Sequence, residues 1–207
     1  MFPLWTLVVL LLCYLIGSVP SGVILARRLK GVDLRLYGSG NVGATNAFRA
    51  LGLAGGILVL AADLLKGFLA VKLAVFALAP DFLAPVVTVA CGLAAIAGHN
   101  WSLFLRFRGG KGVATSFGVL LGLTPLVAAM AGLLWVAVLA LSRYSSLASL
   151  AALLSVPVLM IVYKDPPVYI AFGVLAAAFA LYRHRGNIHR LLQGKELALG
   201  DRAGRQD

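Results

Sequence analysis

Acidic residues are scarce in this 207-residue chain: 7 Asp plus Glu stand against 18 Lys plus Arg, and charged residues of both signs make up only 12%. A water-soluble helical fold needs polar residues on every face turned to water, and the apolar runs here carry none, which argues against a soluble domain. Cysteine is limited to Cys13 and Cys91, both inside apolar stretches, and two buried thiols make neither a disulfide framework nor a metal site. The three His residues are far apart or five apart, with no carboxylate cluster beside them, so neither metal nor cofactor is expected. No Ser or Cys sits in a nucleophile-plus-base pattern. Without a long linker, internal repeat or low-complexity tract, residues 1–207 read as one domain, with a frayed tail at 198–207.

What the chain has is hydrophobicity: 61% apolar residues and a mean hydropathy of +0.98. Lipid is the solvent for much of such a surface, and the fold class expected is an all-α integral membrane protein. A helix crosses the hydrocarbon with about 20 apolar residues, and on that ruler the sequence predicts seven spans. The first runs from Phe2 to Ala26, the second from Gly52 to Leu78 and the third from Phe82 to Leu105. Gly112 to Leu141 is too long for one level helix and is split at Thr124–Pro125; its first piece would be a short or re-entrant span enclosed by protein. Ser146 to Tyr163 and Val168 to Tyr182 complete the set, separated by the Lys164-Asp165-Pro166-Pro167 turn. The N-terminal run lacks a basic n-region and a small-residue cleavage site, so it reads as a retained first span.

Basic residues gather at Arg27 to Arg49, Arg106 to Lys111, Arg143, and Arg183 to Arg205. With seven crossings these clusters share one side, which the positive-inside rule assigns to the cytoplasm, leaving the N-terminus outside and the C-terminus inside. Nucleic acid is then a poor partner, because the cations lie in short loops and not on a freestanding module.

Three polar segments on that side carry the chemistry. The first, Gly38 to Arg49, formally matches G-x-G-x-x-G, yet no βαβ unit surrounds it, so a dinucleotide site is rejected. Its glycines let backbone N–H groups converge on an anion, Ser39, Asn41, Thr45 and Asn46 add neutral donors, and Arg49 adds a phosphate-matching fork. The bland alternative is a loop whose glycines only make turns. The second ends Gly109-Gly110-Lys111-Gly112 at the start of a helix, a place that favours anions, although Leu105 and Gly112 stand where a Walker A loop requires Gly and Ser or Thr. A positive-inside anchor is its alternative, and suits Arg106 and Arg108. In the third, His184 to Glu196, positions 184, 187 and 191 share a helix face; an interfacial amphipathic helix is the competing reading. Asp63 and Lys66 are expected to pair within the membrane, Lys72 to snorkel outward, and the hydroxyls of Arg143-Tyr144-Ser145-Ser146 to line the site or cap a helix.

Taken in order, Gly-Ser-Gly-Asn-Val-Gly-Ala-Thr-Asn with Arg49, the Gly-His stretch ending Gly-Gly-Lys-Gly-Val-Ala-Thr, and His-x-x-Asn-Ile-x-Arg-Leu-Leu-x-Gly-x-Glu resemble the bacterial acyl-phosphate:glycerol-3-phosphate acyltransferase (PlsY) family. Asp63-Leu64-Leu65-Lys66-Gly67 and Arg143 to Leu147 extend the resemblance along nearly the whole chain, and Trp101-Ser102 departs from the family's usual aromatic followed by Pro. The resemblance implies fatty acyl transfer from acyl phosphate to the 1-hydroxyl of glycerol 3-phosphate at the cytoplasmic face of the bacterial inner membrane, yielding lysophosphatidic acid and phosphate. It implies neither CoA nor a covalent enzyme intermediate, and a soluble partner that makes acyl phosphate. By the same resemblance the catalytic set is Ser39, Arg49, Lys111, His184 and Asn187, with Gly38, Gly40, Asn41, Thr45, Asn46, Gly109, Gly110, Gly112, Ser146 and Glu196 around the substrates. The general base stays open between His184 and a substrate phosphate oxygen. An organic-phosphate transporter and a lipid-binding scaffold are the other classes these cations fit.

Overall fold

The computed structural model describes residues 4–77 and 83–201, and within them it is all-helical. Ten α-helices follow in order: α1 (Leu4–Ser18), α2 (Ser21–Lys30), α3 (Ala44–Leu51), α4 (Leu53–Ala77), α5 (Ala84–Asn100), α6 (Val113–Leu123), α7 (Pro125–Ser142), α8 (Ser145–Val162), α9 (Pro167–Arg183) and α10 (Arg185–Leu192). Four helical elements are long and apolar enough to cross a bilayer, Leu4–Lys30, Ala84–Leu105, Pro125–Ser142 and Ser145–Val162; α9 with α10, bent by 60°, makes a fifth. Outward-facing Leu4, Leu7, Leu11, Phe76, Leu133, Leu141, Ile161 and Val162 are exposed, which only a lipid solvent makes favourable. The protein is an integral, multi-pass membrane protein.

Helix α4 has 25 residues but carries Asp63, Lys66 and Lys72. The first two are buried and paired at 2.8 Å, as expected, while Lys72 lies exposed over the Phe68 ring. This helix is the hub, packing against α1, α3, α5 and α6. Its contact with α6 is backbone-close: a Cβ on Gly118 would stand 1.9 Å from the Leu64 carbonyl oxygen, and one on Gly67 would stand 2.1 Å from that of Thr115. Small residues at a crossing let membrane helices gain dispersion energy where lipid gives no hydrophobic drive. A core of Val71, Ile96, Val119, Leu120, Leu153, Met160 and Phe172 joins α4, α5, α6, α8 and α9. Buried Cys13 and Cys91 share a second cluster with Val9, Ala70 and Ala95.

Several boundaries depart from the expectation. The first span breaks at Val19–Pro20, because Pro20 has no N–H for the helix ladder and its ring clashes with the preceding turn. The break frees two carbonyls that distant polar groups then use: Ser102 Oγ donates to Ser18 O at 2.6 Å and Lys66 Nζ to Val19 O at 3.3 Å. Helix α5 ends at Asn100, five residues short of the expected Leu105, and a 3-10 turn (Leu103–Leu105) completes it. The division at Thr124–Pro125 lies where it was expected, and α6, at 11 residues, is only about 16 Å long. Expected limits at Phe2, Leu78 and Phe82 lie outside the described residues.

Candidate active site

Four separate stretches meet at one end of the bundle: the loop before α3 with α3 itself, the hairpin before α6, the start of α8, and α10 with the segment after it. A chain of hydrogen bonds joins them. Lys111 Nζ donates to Asn187 Oδ1 at 2.6 Å, Asn187 Nδ2 donates to Glu196 Oε1, Ser146 Oγ donates to the same oxygen at 2.7 Å, and Arg190 Nε donates to Glu196 Oε2 at 2.8 Å. The amide of Asn187 is therefore read at both ends, which fixes its orientation. Arg49 reaches across from α3, donating through one terminal nitrogen to Leu197 O and Ala198 O at 3.0 Å each, while its Nε is buried and finds no partner among the described residues. Thr45 and Ser145 share a hydroxyl hydrogen bond of 2.8 Å that ties α3 to α8. Neither Ser145 nor Tyr144 caps α8 through a side chain; the hydroxyls of Ser145 and Ser146 are bonded instead to Thr45 and Glu196.

Asn46 is buried, and its side chain is committed to the loop that precedes it. Its Nδ2 donates to Leu34 O, Tyr37 O and Asn41 O, and its Oδ1 accepts from Ser39 N at 3.0 Å. The loop from Tyr37 to Asn41, with Gly38 and Gly40 at positive φ, thus wraps one amide. Ser39 itself projects into the open.

The lysine hairpin is held from two sides. Gly110 N donates to His99 O at 3.0 Å, and Arg183 donates from Nε and a terminal nitrogen to Gly110 O at 3.1 and 2.6 Å and to Gly109 O at 3.1 Å. Arg183 lies over the Trp101 ring, which meets Phe179 edge-on. Gly112, at φ +79°, turns the chain into α6.

His184 stands past the end of α9, at the 60° bend, and Asn187 follows in α10. The bend precedes the face expected through 184, 187 and 191: His184 caps α10, its carbonyl accepts from Ile188 N, and His184 and Asn187 are both buried at this end. His184 Nδ1 lies 2.8 Å from Ala180 O; a carbonyl partner requires the proton on that nitrogen and leaves Nε2 as the acceptor. Burial and the neighbouring Lys111 ammonium push the imidazole down to about 4, and burial pushes the Lys111 ammonium down to about 8, against the pull of Glu196. Burial alone would raise the Glu196 carboxyl, but hydrogen bonds from Asn187, Ser146 and Arg190 hold it below its ordinary value. A cleft of about 310 Å³, lined by Arg183, Arg185, Gly186, Asn187 and Arg190, opens beside this network.

Of the segment expected to fray, Leu199 N donates to Arg143 O and Ala198 N to Asp201; residues 202–207 lie outside the described residues. Sequence reasoning overlooked Arg183 and Arg190, reading both as part of a basic cluster. Their signal was weak, since Arg183 clamps two backbone carbonyls, which leaves no pattern in spacing, and Arg190 pairs with Glu196 across a turn that follows α10.

Residues 7–194 match the family profile described as glycerol-3-phosphate acyltransferase. A glycerol-3-phosphate acyltransferase of Desulforudis audaxviator is 47% identical, over 95% of this chain and 96% of its own. Glycerol-3-phosphate acyltransferase 2 of Moorella thermoacetica is 48% identical, over 95% and 99%. Two crystal structures of the integral membrane glycerol 3-phosphate acyltransferase PlsY superpose on the fold. The glycerol 3-phosphate form does so with a TM-score of 0.87 at 42% identity, over 94% of this chain and 96% of that one. The lysophosphatidic acid form gives 0.85 at 41%, over 93% and 94%. With a bilayer-spanning helical bundle, a cationic site at one end and relatives matched along nearly its full length, the chain belongs to the glycerol-3-phosphate acyltransferase (PlsY) family.

Proposed function

We propose that this membrane glycerol-3-phosphate acyltransferase takes its acyl group from acyl phosphate and places it on the 1-hydroxyl of glycerol 3-phosphate, releasing phosphate, at the cytoplasmic face of a bacterial inner membrane. The observation that carries the reading is the bonded chain Lys111–Asn187–Glu196–Ser146, with Arg49 beside it, its Nε without a partner among the described residues. It concentrates fixed donors and cations where two phosphate-bearing substrates must meet, one greasy and one water-soluble.

Arg49, His184 and Asn187 bind the glycerol 3-phosphate. Ser39, Lys111 and the N–H groups of the Gly38–Gly40 and Gly109–Gly112 loops face the acyl phosphate and the oxyanion that forms on its carbonyl. Asn41, Thr45, Ser146 and Glu196 complete the shell, and Asn46 shapes the loop that presents Ser39. The 1-hydroxyl oxygen attacks the acyl carbon, a tetrahedral oxyanion forms, and the bond from that carbon to the phosphate oxygen breaks. Because the mixed anhydride already carries a good leaving group, positioning and charge stabilisation supply the rate and no enzyme-bound acyl is needed. The proton passes to a phosphate oxygen, whose pKa near 6 suits neutral pH and which the substrate itself brings to the reacting hydroxyl.

Topologically, α1–α2, α4, α5, α6, α7, α8 and α9 are assigned seven crossings, N-terminus outside and C-terminus inside. Cysteine labelling at Gly122 and Thr124 from outside tests this, since both mark the far end of α6. A soluble enzyme that makes acyl phosphate is the expected supplier. Purified protein in detergent, given radiolabelled glycerol 3-phosphate and acyl phosphate without thioester, is expected to form labelled lysolipid. Formation only with acyl-CoA or an acyl carrier protein refutes the donor assignment.

A further inference from the structure

Asp63 is buried in mid-α4, and what surrounds it points toward the lysine hairpin. Ser21 Oγ donates to Asp63 Oδ1, Lys66 Nζ lies 2.8 Å from the same oxygen, and His99 Nδ1 lies 3.6 Å away. All four side chains are at most 9% exposed. Charges within a bilayer are costly and mark function more often than stability, and buried ion pairs are readily replaced by apolar residues without loss of stability. The far side of the His99 ring is where the hairpin lies: a Cβ on Gly110 would stand 2.1 Å from His99 Nε2, and one on Gly109 would stand 2.0 Å from His99 O. The ring and carbonyl of one residue thus form the wall on which the diglycine backbone rests, and Arg183 presses it from the other side through the carbonyl of Gly110. That carbonyl belongs to the peptide leading into Lys111.

We propose that His99 is a positioning residue for acyl transfer: its ring, oriented by the buried Ser21–Asp63–Lys66 cluster, sets the Gly109–Gly110 backbone and hence where the Lys111 ammonium stands. The inference rests on the reading of Lys111 as part of the reaction. Asp63 faces the imidazole Nδ1 at 3.6 Å, an electrostatic contact longer than a hydrogen bond, so the ring is oriented by the charge of that cluster on one side and by close packing against Gly109 and Gly110 on the other. His99→Asn keeps an amide facing Asp63 but removes the part of the ring that touches Gly110, and His99→Ala removes both.

The test uses Lys111→Cys as a reporter, because Cys13 and Cys91 are buried. In detergent, the alkylation rate of the thiol introduced at position 111 is expected to change by at least about threefold when His99→Asn or His99→Ala is added, since thiol reactivity follows its surroundings. With Lys111 restored, both His99 variants should lose about 100-fold in kcat, the scale of a 1 Å misplacement, with KM for glycerol 3-phosphate altered far less and the melting temperature of His99→Asn preserved. Gly110→Ala, which needs the space the ring fills, should cost less in the His99→Ala background than alone; multiplying losses would mean that the two do not touch. Unchanged alkylation of the introduced thiol in folded variants overturns the positioning role. Changed alkylation with kcat retained leaves the contact in place and overturns the assignment of Lys111 to the reaction.

Discussion

Lys111 offers the sharpest check on the proposed chemistry, because its environment works against its charge. Burial lowers the ammonium from 10.5 to about 8, so holding it charged costs about 3 kcal/mol relative to water, at about 1.4 kcal/mol per pH unit. If the protonated form binds phosphate and steadies the oxyanion, kcat/KM for glycerol 3-phosphate should be level between about pH 7 and 8, above the acid limb that a phosphate base with a pKa near 6 imposes, and fall above pH 8, reaching about a tenth of its plateau one unit higher. Initial rates at subsaturating glycerol 3-phosphate, from pH 6 to 10 at constant ionic strength, measure this limb. Unfolding does not imitate it. A lysine whose folded value lies below its unfolded one destabilises the fold fully below pH 8, and that penalty is relieved as pH rises from about 8 to 10.5. This group alone therefore gives a melting temperature that climbs while activity drops. Lys111→Arg, charged throughout the range, should abolish the limb while lowering the plateau, because a planar fork does not fit the 2.6 Å contact to Asn187. A limb above pH 9.5, or the same limb in the arginine variant, would refute the reasoning.

Three further outcomes follow from the packing. Glu196→Gln keeps the shape but sets an amide against Ser146, Asn187 and Arg190 donors; losing charge-assisted bonds worth about 1.5–3 kcal/mol should cut kcat/KM by one to two orders of magnitude, and wild-type rates would remove Glu196 from the site. Gly118→Ala drives a methyl group into the Leu64 carbonyl, so the melting temperature should drop by an amount corresponding to about 1–3 kcal/mol; an unchanged value would contradict the α4–α6 contact. Ser102→Pro meets a backbone already at φ −65°, so the loss of its bond to Ser18 O, about 1 kcal/mol, is offset by about 0.4–1 kcal/mol of unfolded-chain entropy. Stability and turnover should both stay near wild type, and a collapse of either would show that the serine contact is required.

The sequence by itself determined the solvent and the chemistry. Long apolar runs leave no water-facing surface, and the helices observed at Leu53–Ala77, Pro125–Ser142, Ser145–Val162 and Pro167–Arg183 start and stop within a residue or two of those runs wherever they are described. Glycine next to Ser, Thr, Asn, Arg and Lys, confined to short loops, pointed to the segments that the fold gathers at one end of the bundle. What only the tertiary structure decided is how those groups are held. Pro20 was in plain view, yet hydropathy sums over a window and passes across a single break. The value of that break lies in the freed carbonyls of Ser18 and Val19, whose partners Ser102 and Lys66 are 84 and 47 residues away. Asn46 looked like a substrate donor because an amide is polar wherever it stands; its four loop bonds become visible only once the loop has closed around it. Arg183 looked like an interfacial anchor, since a cation at a helix end obeys the charge rule whether it faces lipid headgroups or grips Gly109 and Gly110. Residue type fixes what a side chain can bond, whereas the partner it takes depends on contacts between segments far apart in the chain, and no local pattern encodes those.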